Sequence, residues 1–180
     1  MAKIYYRRLA LLLVLIVLCS FSTDNLRDKV EQKYTSQIGV REATGFNDGV
    51  TVEVYLHSVG LGKGYAWCAA FVNWVYFETG VTHVQGSAWA PLWFQKEYVI
   101  YQPSKRIYKK TPNKGDVFGI WFANKGRIAH VGFIHLWENG DWVTTVEGNT
   151  NDAGSREGDG VYKKRRIKRQ VYAVSNYIEN

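Results

Sequence analysis

The chain has 180 residues and carries 23 Lys and Arg against 16 Asp and Glu, which gives a formal net charge of +7. Its length fits a single domain that can bury a hydrophobic core, and it shows no internal repeat or low-complexity segment, which excludes repeat and disordered proteins. The mild basic excess suits an anionic polymer as partner without identifying one.

The first 22 residues have the organisation of a secretory signal peptide. Three basic residues, Lys3, Arg7 and Arg8, precede an apolar run over residues 9–18. This run is too short to span a bilayer, which takes about 20 residues. Small side chains follow it, and they predict cleavage after residue 22.

Lipoprotein processing at Cys19 is the alternative, and it would leave the mature chain anchored by a lipid. Leu18 fits this alternative poorly, because lipoprotein signals resemble one another in carrying a small residue at that position. Residues 23–180 are therefore expected to form one exported domain, in the periplasm or outside the cell. The domain is either soluble or membrane-anchored through Cys19.

Three helices are predicted in the first half of the mature chain. Residues 24–38 place apolar side chains at steps of four, and residues 50–59 follow a turn cluster rich in glycine and asparagine. The segment that begins at Cys68 has the i, i+3, i+4, i+7 apolar pattern of one helical face, and Gly80 is expected to end it.

The second half has the pattern of an antiparallel sheet. Residues 81–108 are aromatic and irregular, and no regular element is predicted there. Strands are predicted at residues 117–122, 129–137, 142–147, 161–169 and 171–177. Helices first and strands afterwards indicate an α+β domain, with N-terminal helices packed on an antiparallel β-sheet.

Cys68 is the single cysteine that remains once the predicted signal is removed. Exported proteins normally pair their cysteines, so an unpaired one indicates either a thiol kept for chemistry or an intermolecular disulfide. Its position at the start of a predicted helix favours chemistry, because the partial positive charge of a helix N-terminus lowers the pKa of a thiol.

Asn139-Gly140 is the strongest hairpin signal in the chain, because both residues tolerate the positive φ angles of a type I′ turn. If Glu138 pairs with Asp141, any two residues that face each other across the hairpin have residue numbers that add up to 279. A slip of one residue would move every side chain to the opposite face, so the prediction depends on this register.

On this register His130 faces Asn149, and Gly132 faces Glu147. Side chains alternate along a strand, so His130, Glu147 and Asn149 share one face of the hairpin. Gly132 has no side chain and leaves room for a neighbour to reach the imidazole.

These residues fit a cysteine nucleophile served by a base from a distant segment. A thiol with a reference pKa of about 8.5 needs a base or positive potential to ionise at neutral pH. We assign the nucleophile to Cys68, the general base and then acid to His130, and the orienting group to Glu147 with help from Asn149. The backbone N–H of Cys68 would contribute to an oxyanion hole.

Three tryptophans, Trp67, Trp89 and Trp93, are candidates for substrate binding. Aromatic residues at this density also build cores, so both roles stay open. No close spacing of His, Cys and carboxylate residues recurs, so we expect neither a metal nor another cofactor.

Four segments together resemble the CHAP family, the cysteine- and histidine-dependent amidohydrolases/peptidases of the papain-like NlpC/P60 group. They are residues 67–72 (WCAAFV), 115–117 (GDV), 129–132 (AHVG) and 147–150 (EGNT), and the resemblance spans roughly residues 42–177. It implies a papain-like α+β fold in which the active-site cysteine begins a helix packed on an antiparallel sheet.

The resemblance also implies an activity, since such proteins mostly cleave peptidoglycan. The expected enzyme is an exported cysteine hydrolase, either an N-acetylmuramoyl-L-alanine amidase or an endopeptidase of stem or bridge peptides, working as a monomer through an acyl-enzyme intermediate. Some members carry an acidic calcium loop before the nucleophile. Residues 60–64 contain no acidic residue, so calcium is not expected.

Two alternatives stay open. One is a non-catalytic envelope-binding protein that keeps the fold, and the other is a cysteine amidohydrolase with a substrate outside the wall. The basic run at residues 163–169 is compatible with a solvated edge strand protected by its charge or with a contact for wall polymers. Nucleic acid is not expected as a partner of an exported chain.

Overall fold

The computed structural model describes residues 25–82, 84, 86–152 and 158–179. The predicted signal peptide and Cys19 lie outside these residues, so cleavage and lipid anchoring stay predictions. Within the described part, no helix has the length and apolar character that crossing a membrane requires.

Three α-helices lie in the first half of the described chain: α1 (residues 25–35), α2 (Val50–His57) and α3 (Cys68–Thr79). The predictions for all three are confirmed, with ends shifted by a few residues. Gly80 ends α3 as expected, because it adopts the left-handed conformation with φ of 80° that glycine tolerates best. The apolar spacing after Cys68 therefore positions this cysteine as the first residue of a buried helix.

Seven strands form one sheet in the described chain, in the order β2-β1-β7-β3-β4-β5-β6, and every neighbouring pair is antiparallel. Their bounds are β1 (Val99–Gln102), β2 (Ile107–Tyr108), β3 (Val117–Phe122), β4 (Arg127–Trp137), β5 (Trp142–Thr150), β6 (Gly160–Ile167) and β7 (Ala173–Ser175). Helices followed by an antiparallel sheet make the domain α+β, as predicted.

The sheet differs from the prediction at its margins. Strands β1 and β2 lie inside residues 81–108, which were expected to be irregular, and they are too short to show a period in the sequence. β6 ends at Ile167 because residues 168–170 form a turn of 3₁₀ helix, and β7 is three residues long.

The register of the β4–β5 hairpin follows the prediction only in its inner part. Phe133 faces Val146 and Ile134 faces Thr145, which is the predicted register. A bulge follows, so that Leu136 faces Thr144, one residue out of that register. The expected Glu138–Asp141 pair is not formed. Among the described residues the pairing of these two strands ends at Phe133–Val146, so the predicted pairs His130–Asn149 and Gly132–Glu147 are not part of it either.

The α3 helix packs against one face of the sheet, where it shares the larger core with Val131, Phe133 and Val146. Gly148 on β5 allows the start of α3 to approach the sheet closely, because it has no side chain. A Cβ at that position would lie 2.7 Å from the Trp67 ring and 2.9 Å from Phe71 Cβ. The missing side chain of Gly148 is therefore a condition for placing the start of α3 beside β5.

Gly148→Ala is expected to lower the free energy of unfolding by about 1–3 kcal/mol, because the added methyl group must displace the Trp67 ring or the helix. Urea unfolding followed by far-UV circular dichroism measures the change. Gly62→Ala is the control, since nothing lies within 4 Å of its Cβ position. Equal shifts in both variants would contradict the close-packing argument.

Candidate active site

Cys68 is the first residue of α3 and the sole cysteine among the described residues, and it is unpaired and only 7 % exposed. Its sulfur interacts with the His130 side chain and accepts hydrogen bonds from the backbone N–H groups of Ala69 and Val131. The sulfur thus lies among donors contributed by the helix start and by β4, a setting that stabilises a thiolate.

His130 lies on β4 and is almost completely buried. Its Nε2 is 2.7 Å from Glu147 Oε2, so the other ring nitrogen, Nδ1, is left for the thiol of Cys68. A carboxylate that holds one ring nitrogen fixes the orientation of the imidazole toward the other partner. The predicted contacts of His130 with Cys68 and Glu147 are therefore present.

Glu147 has no exposed surface. Its carboxylate makes hydrogen bonds with the side chains of His130, Thr145 and Arg166. Thr145 Oγ1 donates to Oε1 at 2.5 Å. The Arg166 guanidinium donates twice, from Nε to Oε1 at 2.5 Å and from Nη2 to Oε2 at 2.6 Å. A fully buried carboxylate requires such partners, because an unpaired charge in the interior is strongly unfavourable.

Gly132 provides the space that this arrangement needs. A Cβ on it would lie 3.0 Å from Glu147 Cγ and 2.9 Å from the backbone oxygen of Val146. The expectation that Gly132 leaves room beside the imidazole is confirmed, and the room is occupied by the Glu147 side chain.

The electrostatics favour a thiolate–imidazolium pair. Burial, the largest single effect, would raise the pKa of Cys68, but the hydrogen bond and charge of His130 bring this pKa below its ordinary value. Burial would likewise lower the pKa of His130, but interactions with Cys68 and Glu147 raise it to about 9. For Glu147, burial opposes ionisation, yet Arg166 and His130 hold its pKa below the ordinary range.

Asn149 does not help to orient His130, contrary to the prediction. Its side-chain Nδ2 donates to Asn47 Oδ1 at 2.8 Å, and no hydrogen bond with His130 is present in the described residues. The cause is the backbone: Asn149 has φ of 53°, so its side chain leaves the alternation that a regular strand would impose.

The contact made by Asn149 leads to the segment before Cys68. Asn47 also donates its backbone N–H to Glu42 Oε2 at 2.9 Å, and Glu42 Oε1 accepts from Trp67 Nε1 at 2.8 Å. Asn149 is thus linked through two residues to the one that precedes Cys68. We interpret Asn149 as a residue that positions the approach to α3.

Of the three tryptophans predicted to bind substrate, Trp89 alone has substantial exposure, at 53 %. Trp67 and Trp93 are buried, and each donates its indole N–H within the protein, Trp67 to Glu42 and Trp93 to the backbone of Ser87. For these two the burial supports the core role that was left open, because a buried ring presents no surface to a ligand.

Arg166 is the site residue that the sequence analysis missed. It lies in the basic run at residues 163–169, which was interpreted as an edge strand or a polymer contact. Residues 163–167 of the run do lie in the edge strand β6, but alternation turns Arg166 inward to Glu147 while Arg165 points outward to Glu138. No signal in the sequence distinguishes these neighbouring arginines, since both stand among like charges.

Alkylation of Cys68 by iodoacetamide is expected to stay fast at about pH 6, where an ordinary thiol is almost wholly protonated. The lowered pKa of Cys68 keeps its thiolate present as the pH falls toward 6. His130 stays protonated over the same range, because its pKa is raised to about 9. His130→Ala should alkylate at least about tenfold more slowly at pH 6, with the difference narrowing above pH 9. Mass spectrometry of labelled protein gives both rates.

His57→Ala is the matched control for this experiment, because His57 is an exposed residue at the end of α2. It should follow the pH profile of the unmodified protein. Parallel profiles for the His130→Ala and unmodified proteins would contradict the ion pair.

Arg166→Met is expected to slow alkylation of Cys68 at pH 6 by about tenfold, because Glu147 loses the partner that keeps it ionised and fixed. Arg166→Lys should recover part of the rate. The loss should shrink in a Glu147→Gln background, where no buried carboxylate needs a cation. Equal losses in both backgrounds, with folding confirmed by circular dichroism, would show that Arg166 acts independently of Glu147.

Comparison with known proteins agrees with this geometry. The model of the CHAP domain family matches residues 60–149, which is half of the chain and includes Cys68, His130 and Glu147. Neither the curated proteins nor the solved structures gave a match. The chain therefore belongs to the CHAP domain family, and this membership indicates a hydrolase of the amidase or peptidase type.

Proposed function

We propose that this protein is an exported cysteine peptidoglycan hydrolase. The bond that it cleaves would be an amide, either the N-acetylmuramoyl-L-alanine linkage or a peptide bond of the stem or bridge. The observation that carries the proposal is the buried set of Cys68, His130 and Glu147, in which a thiol with a lowered pKa contacts an imidazole held by a carboxylate. A protein that only binds the wall has no need of this arrangement.

The reaction begins with attack of Cys68 Sγ on the carbonyl carbon of the scissile amide. His130, protonated in the resting pair, gives its proton to the leaving nitrogen as the carbon–nitrogen bond breaks, and a thioester remains on Cys68. His130 then takes a proton from water, the water oxygen attacks the thioester, and the product acid leaves with the thiolate restored.

Glu147 and the helix start assist these steps without reacting. Glu147 keeps the imidazole oriented and stabilises its positive charge, while Arg166 and Thr145 keep Glu147 in place. The backbone N–H of Cys68, at the first position of α3, has no partner within the helix and is our candidate donor to the oxyanion.

The arrangement of α3 on an antiparallel sheet supports a further part of the proposal, namely a papain-like fold of the NlpC/P60 type. Export rests on the signal-like organisation of residues 1–22. The protein would then act in the periplasm or outside the cell, either free or held through a lipid on Cys19.

Incubation of the purified protein with purified peptidoglycan, followed by mass spectrometry of the released fragments, tests the proposal. Free stem peptides that begin with L-alanine would identify an amidase, and newly cut stems or bridges would identify an endopeptidase. Cys68→Ser should remain folded and release neither, because serine at this position lacks the low pKa of the thiol.

The matched control is Ser36→Ala, a change at an exposed residue just after α1 whose hydroxyl, within the described part of the chain, bonds only to Lys33 and Gln37. It should keep the activity of the unmodified protein. Full release of fragments by Cys68→Ser, or no release by folded protein from walls of several chemical types, would contradict the proposed function.

A further inference from the structure

A cleft of about 500 Å³ lies beside His130 and is not explained by the Cys68–His130–Glu147 set. It is bounded by the ends of β3, β4 and β5, by β6 and by the turn that follows β6. Its volume lies within the range of pockets that hold small ligands. His130 lines the cleft and also contacts Cys68, so the cleft adjoins the base, although Cys68 is not among its described lining residues.

The charged side chains among the described residues of the cleft are all basic. Lys164, Arg166 and Arg169 line it, and none of its described lining residues is Asp or Glu. The charge of Arg166 is balanced by Glu147 behind it. Lys164 donates to the backbone oxygen of Asn151, which is uncharged, and no ion pair joins Arg169 to a carboxylate of the described residues. Two cations are thus left to face the cleft.

The opposite wall is aromatic. The rings of Trp121 and Tyr172 stack with their centroids 4.9 Å apart and 28° between their planes, and both line the cleft together with Ile120. Asn149 and Gln170 add amide groups. A cavity with an apolar wall, two cations without a carboxylate partner among the described residues and a few amides suits an organic anion better than a neutral or cationic group.

We propose that this cleft binds a carboxylate of the substrate close to the scissile amide, with Arg169 and Lys164 as its cationic partners. The inference rests on the proposed function in taking the substrate to be a peptide of the wall, and it adds that the enzyme selects peptides with a free carboxylate. The planar guanidinium of Arg169 matches the two oxygens of a carboxylate, and the apolar wall accommodates the neighbouring carbon chain.

Two synthetic stem tetrapeptides, L-alanyl-γ-D-glutamyl-L-lysyl-D-alanine with an amidated C-terminus, provide the probe. One has a free α-carboxylate on the glutamyl residue and the other has a carboxamide there. Isothermal titration against the Cys68→Ser protein should give at least about tenfold tighter binding of the free carboxylate, since charge-assisted hydrogen bonds are stronger than neutral ones. Arg169→Gln should abolish this preference.

Arg165→Gln is the matched control, because Arg165 belongs to the same basic run but points away from the cleft and pairs with Glu138. It should keep the preference. Equal affinities for the two peptides, absence of binding by both at millimolar concentration, or an unchanged preference in Arg169→Gln would each overturn the inference.

The two proposals fail in different ways. Cleavage of peptidoglycan without a carboxylate preference would support the proposed hydrolase and contradict the proposed carboxylate site. A carboxylate preference that depends on Arg169, without cleavage of any wall, would keep the carboxylate site and contradict the proposed peptidoglycan hydrolase.

Discussion

The buried carboxylate of Glu147 is the group on which the rest of the site depends. It contacts the base on one side and an arginine on the other, with a threonine hydroxyl completing its hydrogen bonds. Three strands must therefore lie in fixed register around one side chain, since His130, Glu147 and Arg166 come from β4, β5 and β6. The antiparallel order of these strands serves the chemistry as directly as it serves stability.

Two glycines near the Glu147 carboxylate allow the close packing that this site requires. Gly132 leaves space for the Glu147 side chain, and Gly148, the next residue along β5, lets the start of α3 approach the sheet. Both positions have ordinary backbone conformations, so what they require is the absence of a side chain and not freedom of φ. The nucleophile and the orienting acid are thus brought together by the absence of a side chain at one position in each of two adjacent strands.

Much of this arrangement could be predicted from the sequence, because it depends on local periods. The helical spacing after Cys68 places the thiol at a helix start, and alternation along β4 and β5 puts His130 and Glu147 on one face, where their side chains meet. Asn149 was assigned wrongly because one positive φ angle interrupts the alternation. Arg166 was missed because it faces Val143 across the β5–β6 ladder and reaches Glu147, four residues further along β5, only through its long side chain. It also lies beyond residues 60–149, the part that matches the family model.

The enclosure of Cys68 has a consequence for the lifetime of the thiolate. A sulfur that is ionised is also easily oxidised, and in an oxidising medium it readily exchanges with disulfides of other proteins. Both reactions need an approach to the sulfur, and Cys68 is only 7 % exposed. This low exposure therefore limits the access of bulky protein disulfides to the sulfur. The burial that makes the thiol difficult to ionise without His130 also protects it from inactivation between turnovers.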